Sequence, residues 1–269
     1  MNLSGKTAII TGASRGIGRE LAGLLSQRGV RLVLTGRNAE RLEAVAADLR
    51  RSGSAITTVS GDVSDPVHCA QVVAAARRDY GGVDVLFNNA GLSMRGAIAD
   101  LSDEVVKTLL DVNLRGSITM TVAALPEVLR SRGSIIFVST LAALHGFSGV
   151  SIYSASKMGL TAFSQSLRAE HARDGLHTGI VFLGFTENDP DKTILDASGN
   201  PFHHQRTSGL SRNQAANRLI RTWVRRRRRD RTVPVGVLLD LAVRFFPRLT
   251  AAVLQKSGGA IHRVENRPS

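Results

Sequence analysis

Lys6-Thr7-Ala8-Ile9-Ile10-Thr11-Gly12-Ala13-Ser14-Arg15-Gly16-Ile17-Gly18 is an apolar run that empties into three glycines. Residues 6–11 read as one short, fully buried strand. A helix is predicted from Arg19 to about Arg28. Gly12 permits a tight turn, while Gly16 and Gly18 let main chain and a phosphate approach closely. The helix N-terminus adds unpaired N–H groups and the positive end of its dipole. The spacing is Gly-x-x-x-Gly-x-Gly, which differs from the usual G-x-G-x-x-G of dinucleotide sites. A glycine turn alone is a weak signal. At the first strand-to-helix junction of the chain it points to a pyrophosphate.

Outward from that turn the pattern repeats. Residues 31–35 (RLVLT) predict a second strand, ending in Gly36-Arg37. An acidic residue at that tip would take a ribose 2′-hydroxyl, whereas an Arg suits a 2′-phosphate. Arg15 and Arg37 could share that phosphate through charge-assisted hydrogen bonds; the plainer reading leaves both solvated. A helix over 38–51, capped by Asn38, precedes a third strand at 55–60 that ends in Gly61-Asp62-Val63. Asp62 would either accept from an adenine amino group or cap a helix. After a helix at 66–79 and a strand at 83–87 comes Asn88-Asn89-Ala90-Gly91. This is a plain polar turn, or a device that holds main chain beside a ligand. Helical periodicity over 102–125 has Pro126 marking its end, with Asn113, a poor helix former, in its middle. A fifth strand over 133–140 carries Ser139 to its carboxyl end, and a sixth covers 177–182.

Strands alternating with helices, with no long linker or repeat, define an α/β fold with a doubly wound parallel sheet, Rossmann-like, in a single domain. The candidate residues fall at carboxyl ends of strands, where open α/β sheets place their ligands.

Downstream stands Tyr153-Ser154-Ala155-Ser156-Lys157 on a predicted helix that runs to Ala172. Tyr153 and Lys157, at i and i+4, share one face. A phenol ordinarily ionises near pH ~10. A neighbouring ammonium favours the phenolate and makes the pair usable for proton transfer near neutrality. Taken alone, the pair could equally be an exposed surface contact.

Thr11-Gly12-Ala13-Ser14-Arg15-Gly16-Ile17-Gly18, Asn88-Asn89-Ala90-Gly91, Asn113, Ser139 and Tyr153-x-x-x-Lys157 together resemble the short-chain dehydrogenase/reductase family in its compact single-domain branch. The resemblance covers residues 1 to about 186. It implies hydride transfer between a nicotinamide and a carbonyl or secondary alcohol. Tyr153 would be the acid/base, Ser139 would orient the substrate oxygen, Lys157 would lower the tyrosine pKa and bind the ribose, and Asn113 would hold a relay water. The cofactor would lie against Gly12, Ser14, Arg15, Gly16, Ile17, Gly18, Arg37, Asp62, Val63, Asn89, Ala90, Gly91, Tyr153, Lys157, Gly184 and Thr186. Arg15 and Arg37 favour NADP(H) over NAD(H). The chain departs from the family pattern after the sixth strand. There Leu183-Gly184 replaces the usual Pro-Gly, and Asn188 stands where a Thr is expected.

The composition bounds the rest. A chain of 269 residues with 43% hydrophobic content holds one large domain, here drawn at 1–235, and the single Cys69 excludes an internal disulfide. That points to a reducing, cytoplasmic setting. The N-terminal apolar run is too short for a signal peptide, and no stretch suits a membrane span. Net charge is +13, but residues 201–269 carry 15 Lys and Arg against 3 Asp and Glu, so the basicity belongs to the tail. Residues 186–210, polar and with few apolar anchors, suggest a substrate lid. His203-His204 within them lacks carboxylate or Cys partners, and no metal site is expected. Ser211-x-x-Gln214 predicts a capping box opening a helix into Arg225–229, with a last strand at 232–235. Residues 236–269 form a basic, amphipathic extension. It either touches a membrane beside a hydrophobic, lipid- or steroid-like substrate, or packs on the domain or a second subunit. Nucleic acid is not an expected partner, since no reading module accompanies the arginines. Relatives are commonly homo-oligomers, and the same is expected here. The rival functions are a non-catalytic NADPH-binding scaffold and an epimerase or dehydratase. The complete Ser139, Tyr153, Lys157 and Asn113 set argues against the scaffold. The glycine spacing and the lack of a longer substrate domain argue against the other.

Overall fold

A computed structural model describes residues 2–186, 193–203, 209–231 and 233–253. Six strands come first: β1 (Thr7–Thr11), β2 (Arg31–Gly36), β3 (Ile56–Ser60), β4 (Val85–Asn88), β5 (Ser134–Thr140) and β6 (His177–Leu183). A small antiparallel hairpin, β7 (Ile194–Leu195) and β8 (Pro201–Phe202), precedes a last strand, β9 (Arg229–Arg231). The sheet runs β3-β2-β1-β4-β5-β6-β9, every pair parallel. Winding reverses between β1 and β4, which opens a crevice at their carboxyl ends.

Among the described residues, helices α1 (Gly16–Ser26), α2 (Ala39–Arg51), α3 (Pro66–Tyr80), α4 (Asp103–Leu110), α5 (Gly116–Arg130), α6 (Ser151–Glu170), α7 (Arg212–Val224) and α8 (Val233–Phe245) cover the faces. Successive strand residues point to opposite faces, so Ile9 and Ile10 enter different cores. Ile10, Leu34 and Phe87 pack with Leu21, Val45 and Leu219 of α1, α2 and α7. Ile9, Leu86 and Phe137 pack with Val72, Met120 and Leu160 of α3, α5 and α6. Trp223 closes the first core edge-on to Phe87, with ring centroids 5.9 Å apart.

Local signals set the helix starts. The Asn38 side chain accepts from the Arg41 N–H, and Asp65 caps α3 with Pro66 in its first turn. Ser211 and Gln214 form both halves of the capping box.

Several boundaries differ from the sequence expectation: α1 starts at Gly16 rather than Arg19, which puts Gly16 and Gly18 in its first turn, and β4 lies at Val85–Asn88 rather than 83–87. The single helix over 102–125 is instead α4, a π-helical turn at Asp111–Arg115, and α5, which runs through Pro126 to Arg130. Pro126 lacks the N–H that the Val122 carbonyl would use. Val122 is 61% exposed, so that turn lies on the solvent side of the helix, where an unpaired carbonyl costs little and the helix continues. The last strand lies at Arg229–Arg231, not at 232–235, and α7 stops at Val224 before the arginine run. Arg226 takes φ +47, and its guanidinium donates to the Arg132 and Gly175 carbonyls, which turns the chain into β9.

His177 opens β6 in the interior. Its Nε2 donates to the Arg227 carbonyl, so Nδ1 accepts from Ser134 Oγ and the ring is neutral. Burial depresses its pKa to about 4. A folded-state pKa below the unfolded value near ~6.5 leaves this stability intact above pH ~6.5 and removes it as pH falls toward 4. Denaturant titrations of wild type and His177→Gln should show an acid-side slope in the wild type, about 3 kcal/mol over that window, which the variant lacks.

Candidate functional site

The glycine turn and the turn after β4 interlock at the crevice. Gly12 has φ +66, a left-handed conformation, and a Cβ there would lie 2.9 Å from Ala90 Cα. A Cβ on Gly18 would run into the Gly12 carbonyl oxygen. Asn89 ties the two turns together, its Nδ2 donating to the Thr11 carbonyl at 2.8 Å and the Gly12 carbonyl at 3.2 Å. Thr11 Oγ1 accepts from the Asn89 and Ala90 N–H groups, both at 2.9 Å, and donates to the Phe87 carbonyl. Thr11 is thus the hub of the crevice, a role sequence reading missed. Its only sequence signal is a hydroxyl as the last residue of an otherwise apolar strand.

No side chain caps the N-terminus of α1, and its first turn holds no acid. Its leading N–H groups face the crevice, which fits an anionic ligand. A dinucleotide is the group this cradle fits: two glycines where side chains would collide, and an uncapped helix end. Ser14 and Ile17 flank the turn, with Arg15 half-buried and Arg37 exposed at the end of β2. Gly36 and Ser14 adjoin, since a Cβ on Gly36 would be 3.5 Å from Ser14 Oγ. Asp62 Oδ1 accepts from the Ser64 N–H, and Asp65 rather than Asp62 caps α3. The cap alternative for Asp62 is therefore gone, and it sits beside buried Val63 at the tip of β3.

On the other side of β4 lie the hydroxyls and the amine. Asn113, fully buried in the π turn, donates through Nδ2 to the Leu92 carbonyl and Ser156 Oγ, and accepts the Leu92 N–H through Oδ1. The π turn accounts for the misfit of an Asn inside a helical pattern. Lys157 is buried, with Nζ donating to the Val138 carbonyl at 3.2 Å. A Cβ on Gly91 would meet Asn113 Oδ1 at 3.1 Å and Lys157 Nζ at 3.3 Å, so all three converge. Ser156 Oγ also donates to the Tyr153 carbonyl, which fixes the first turn of α6 to Asn113. Ser139, in β5 next to Val138, is buried, and its Oγ has no hydrogen-bond partner among the described residues. A buried hydroxyl left open in this way can serve a ligand or a water, and at the carboxyl end of β5 Ser139 faces the crevice side of the sheet. Tyr153 packs against the small buried cluster of Met94, Val105 and Leu109, which Leu92, Leu101, Ile152 and Leu195 also border.

Within 186–210 the structure is more anchored than the sequence suggests. Ile194 is buried, and the hairpin pairs with the segment after β4: Leu195 N–H donates to the Ser93 carbonyl and Arg95 N–H to the Leu195 carbonyl. Two apolar residues suffice because the main chain supplies the remaining bonds. Gly184 follows β6, and Thr186 bridges to Leu210. Asn188 and His204 lie outside the described residues. Among those described, no cluster of metal-ligating side chains occurs, and no helix is long and apolar enough to cross a membrane.

The fold and this crevice define a Rossmann-like architecture of the dinucleotide-binding type, and comparison with known proteins places it. The sequence model of the family described as short chain dehydrogenase matches residues 6–198, and the chain belongs to that family of oxidoreductases. Among curated relatives, it is 35% identical over 201 residues to dehydrogenase/reductase SDR family member 7B of Bos taurus, covering 72% of this chain and 62% of that protein. It is 40% identical over 190 residues to 11-beta-hydroxysteroid dehydrogenase 1A of Arabidopsis thaliana, covering 70% and 54%. To the 3-oxoacyl-[acyl-carrier-protein] reductase FabG of Escherichia coli it is 32% identical, covering 73% and 80%. The chain thus spans between half and two thirds of the first two relatives. A short-chain dehydrogenase/reductase from Burkholderia phymatum, solved in complex with NAD, superposes with TM-score 0.82 at 22% identity, covering 93% of this chain and 96% of that one.

Proposed function

We propose that this protein is an NADP(H)-dependent oxidoreductase acting on a carbonyl or secondary alcohol of a hydrophobic, lipid- or steroid-like substrate, with Tyr153 as acid/base. The observation that carries this reading is the Ser139 hydroxyl, partnerless among the described residues and one residue from the carbonyl that Lys157 holds. In this reading it donates to a substrate oxygen and stabilises charge developing there. When bound, the nicotinamide supplies or accepts the hydride. Gly12, Ser14, Arg15, Gly16, Ile17 and Gly18 hold the pyrophosphate, and Asp62 and Val63 the adenine. Asn89, Ala90 and Gly91 form the floor, Tyr153 and Lys157 take the ribose beside the nicotinamide, and Gly184 and Thr186 take its far side. Tyr153 gives or takes the proton, with Lys157 favouring the phenolate. Both ends of the Asn113 amide hold Leu92 and Ser156, and its main-chain carbonyl already accepts from Ser117 Oγ, so a relay water would share that carbonyl through its second lone pair. Residues 186–210 act as the lid, and the tail beyond 235 makes the peripheral membrane contact of a homo-oligomeric, cytoplasmic enzyme.

The cofactor preference rests on Arg37 and Arg15 at the ribose end and on the lack of a carboxylate at the tip of β2. Purified protein should oxidise NADPH with ketones from short β-keto esters to steroids and long-chain 3-keto lipids, with the bulky members preferred. No turnover with any ketone or alcohol would sink the reading. Arg37→Ser should lower kcat/KM for NADPH about ten- to a hundredfold and leave NADH unchanged, as expected for one charge-assisted bond. Steady-state kinetics with both cofactors checks this.

A further inference from the structure

Seven large apolar side chains stand between 40% and 71% exposed on one short segment: Val237, Leu238, Leu241, Phe245, Phe246, Leu249 and Val253. At 100° per residue, Val237, Leu238, Leu241 and Phe245 fall within one arc of about 100° on α8. The opposite side is committed to the protein. Leu239 packs on the core beneath α3, α5 and α6. Asp240 is buried, 3.3 Å from Arg244 Nε and 3.9 Å from Arg229 Nη2.

Asp240 is also the only acidic residue between 232 and 253. The outward surface of this segment therefore carries no negative charge, while Arg244 and Arg248 on it, and Arg225 and Arg228 before β9, are exposed. Apolar side chains fringed by guanidinium groups, on a helix too short to span a bilayer, match an interface that is apolar below and anionic above.

The start of the segment also lies at the end of the sheet where the site opens. β9 runs parallel to β6 with Phe182 opposite Arg231, so α8 starts at the same sheet edge that carries the crevice. Phe185, 69% exposed, leaves the adjacent strand at that edge. Residues 254–269 could cover the apolar face only with Leu254, Ala260, Ile261 and Val264, and they add further basic residues.

From this we infer that α8 and residues 246–253 dock the protein on the surface of an anionic lipid bilayer, with the mouth of the site at the docked edge. A hydrophobic substrate then enters from the lipid without crossing water. The inference deepens the substrate class proposed above and rests on it, although the docking itself can be measured without turnover.

The test uses the full chain and vesicles of phosphatidylcholine, with and without phosphatidylglycerol. Wild type should sediment with the anionic vesicles, less so as salt rises. Leu241→Asp/Phe245→Asp should bind at least about tenfold more weakly. Both changes are at exposed positions, so kcat/KM for a short, water-soluble ketone should stay at the wild-type value. Equal sedimentation of the two proteins overturns the inference. So does binding that ignores lipid charge, or a wild-type dimer that this double variant dissociates, which would make a second copy the occupant. Vesicle binding without reduction of any ketone would instead remove the substrate reading and leave the docking surface standing.

Discussion

Tyr153→Phe is expected to lower kcat by about 10³-fold while leaving the dissociation constant for NADPH within about twofold of wild type. The substitution deletes one oxygen. The ring that remains keeps its place against Met94, Val105 and Leu109, so α6 and the β7–β8 hairpin, whose Leu195 borders the same cluster, should hold their positions. The carbonyl of residue 153 still accepts from Ser156 Oγ, and Ser156 still accepts from Asn113. What is lost, under the proposed function, is the group that protonates the substrate oxygen as charge develops on it. Ser139 can stabilise that charge but holds its own proton too tightly to deliver it at neutral pH, a hydroxyl being far more basic once ionised than a phenol beside an ammonium. Lys157, buried and bonded to the Val138 carbonyl, cannot replace the phenol from where it stands. Single-turnover and steady-state rates, with cofactor titrated separately, separate chemistry from binding. A variant that keeps more than about a tenth of the activity would remove Tyr153 from the acid/base role.

Much of the crevice was legible because it depends on residues with few alternative uses. Gly12, Gly16 and Gly18 at a strand-to-helix junction, and hydroxyls at strand ends, constrain the main chain whatever the surrounding packing. The sheet order followed from alternating strands and helices for the same reason. Less legible were features decided by distant partners. Pro126 reads as a terminator, and only the exposure of Val122 shows why the helix continues. Arg226 turns the chain through bonds to carbonyls 94 and 51 residues away. No local pattern encodes them, so the last strand was expected three residues too late. The hub role of Thr11 had the same cause, because its partners lie on the turn after β4. The hairpin in 186–210 was obscured because main-chain bonds to Ser93 and Arg95, which carry no side-chain signature, hold it in place.

One substitution made at two glycines of α1 should have opposite outcomes. At Gly18 an added methyl would run into the Gly12 carbonyl oxygen and lie 2.7 Å from Asn89 Nδ2. The carbonyl belongs to the turn itself and the amide holds that turn to the Thr11 carbonyl, so neither can move without opening the crevice. Gly18→Ala should therefore weaken NADPH binding by more than about a hundredfold and destabilise the fold by about 1–3 kcal/mol, the usual cost of overpacking. Five residues on, a Cβ at Gly23 meets nothing within 4 Å. There the methyl only restricts the unfolded chain and improves helix propensity, so Gly23→Ala should stabilise the protein by up to about 1 kcal/mol and leave cofactor affinity unchanged. Denaturant titration and equilibrium NADPH binding on both variants give the comparison. If Gly18→Ala bound cofactor like wild type, the close approach of α1 to the turn would not be what shapes the pyrophosphate site, and the glycine spacing would have lost its physical meaning. A loss shared equally by both variants would point instead to helix α1 as a whole. Only the split outcome assigns the effect to the one glycine whose missing side chain leaves room for the turn.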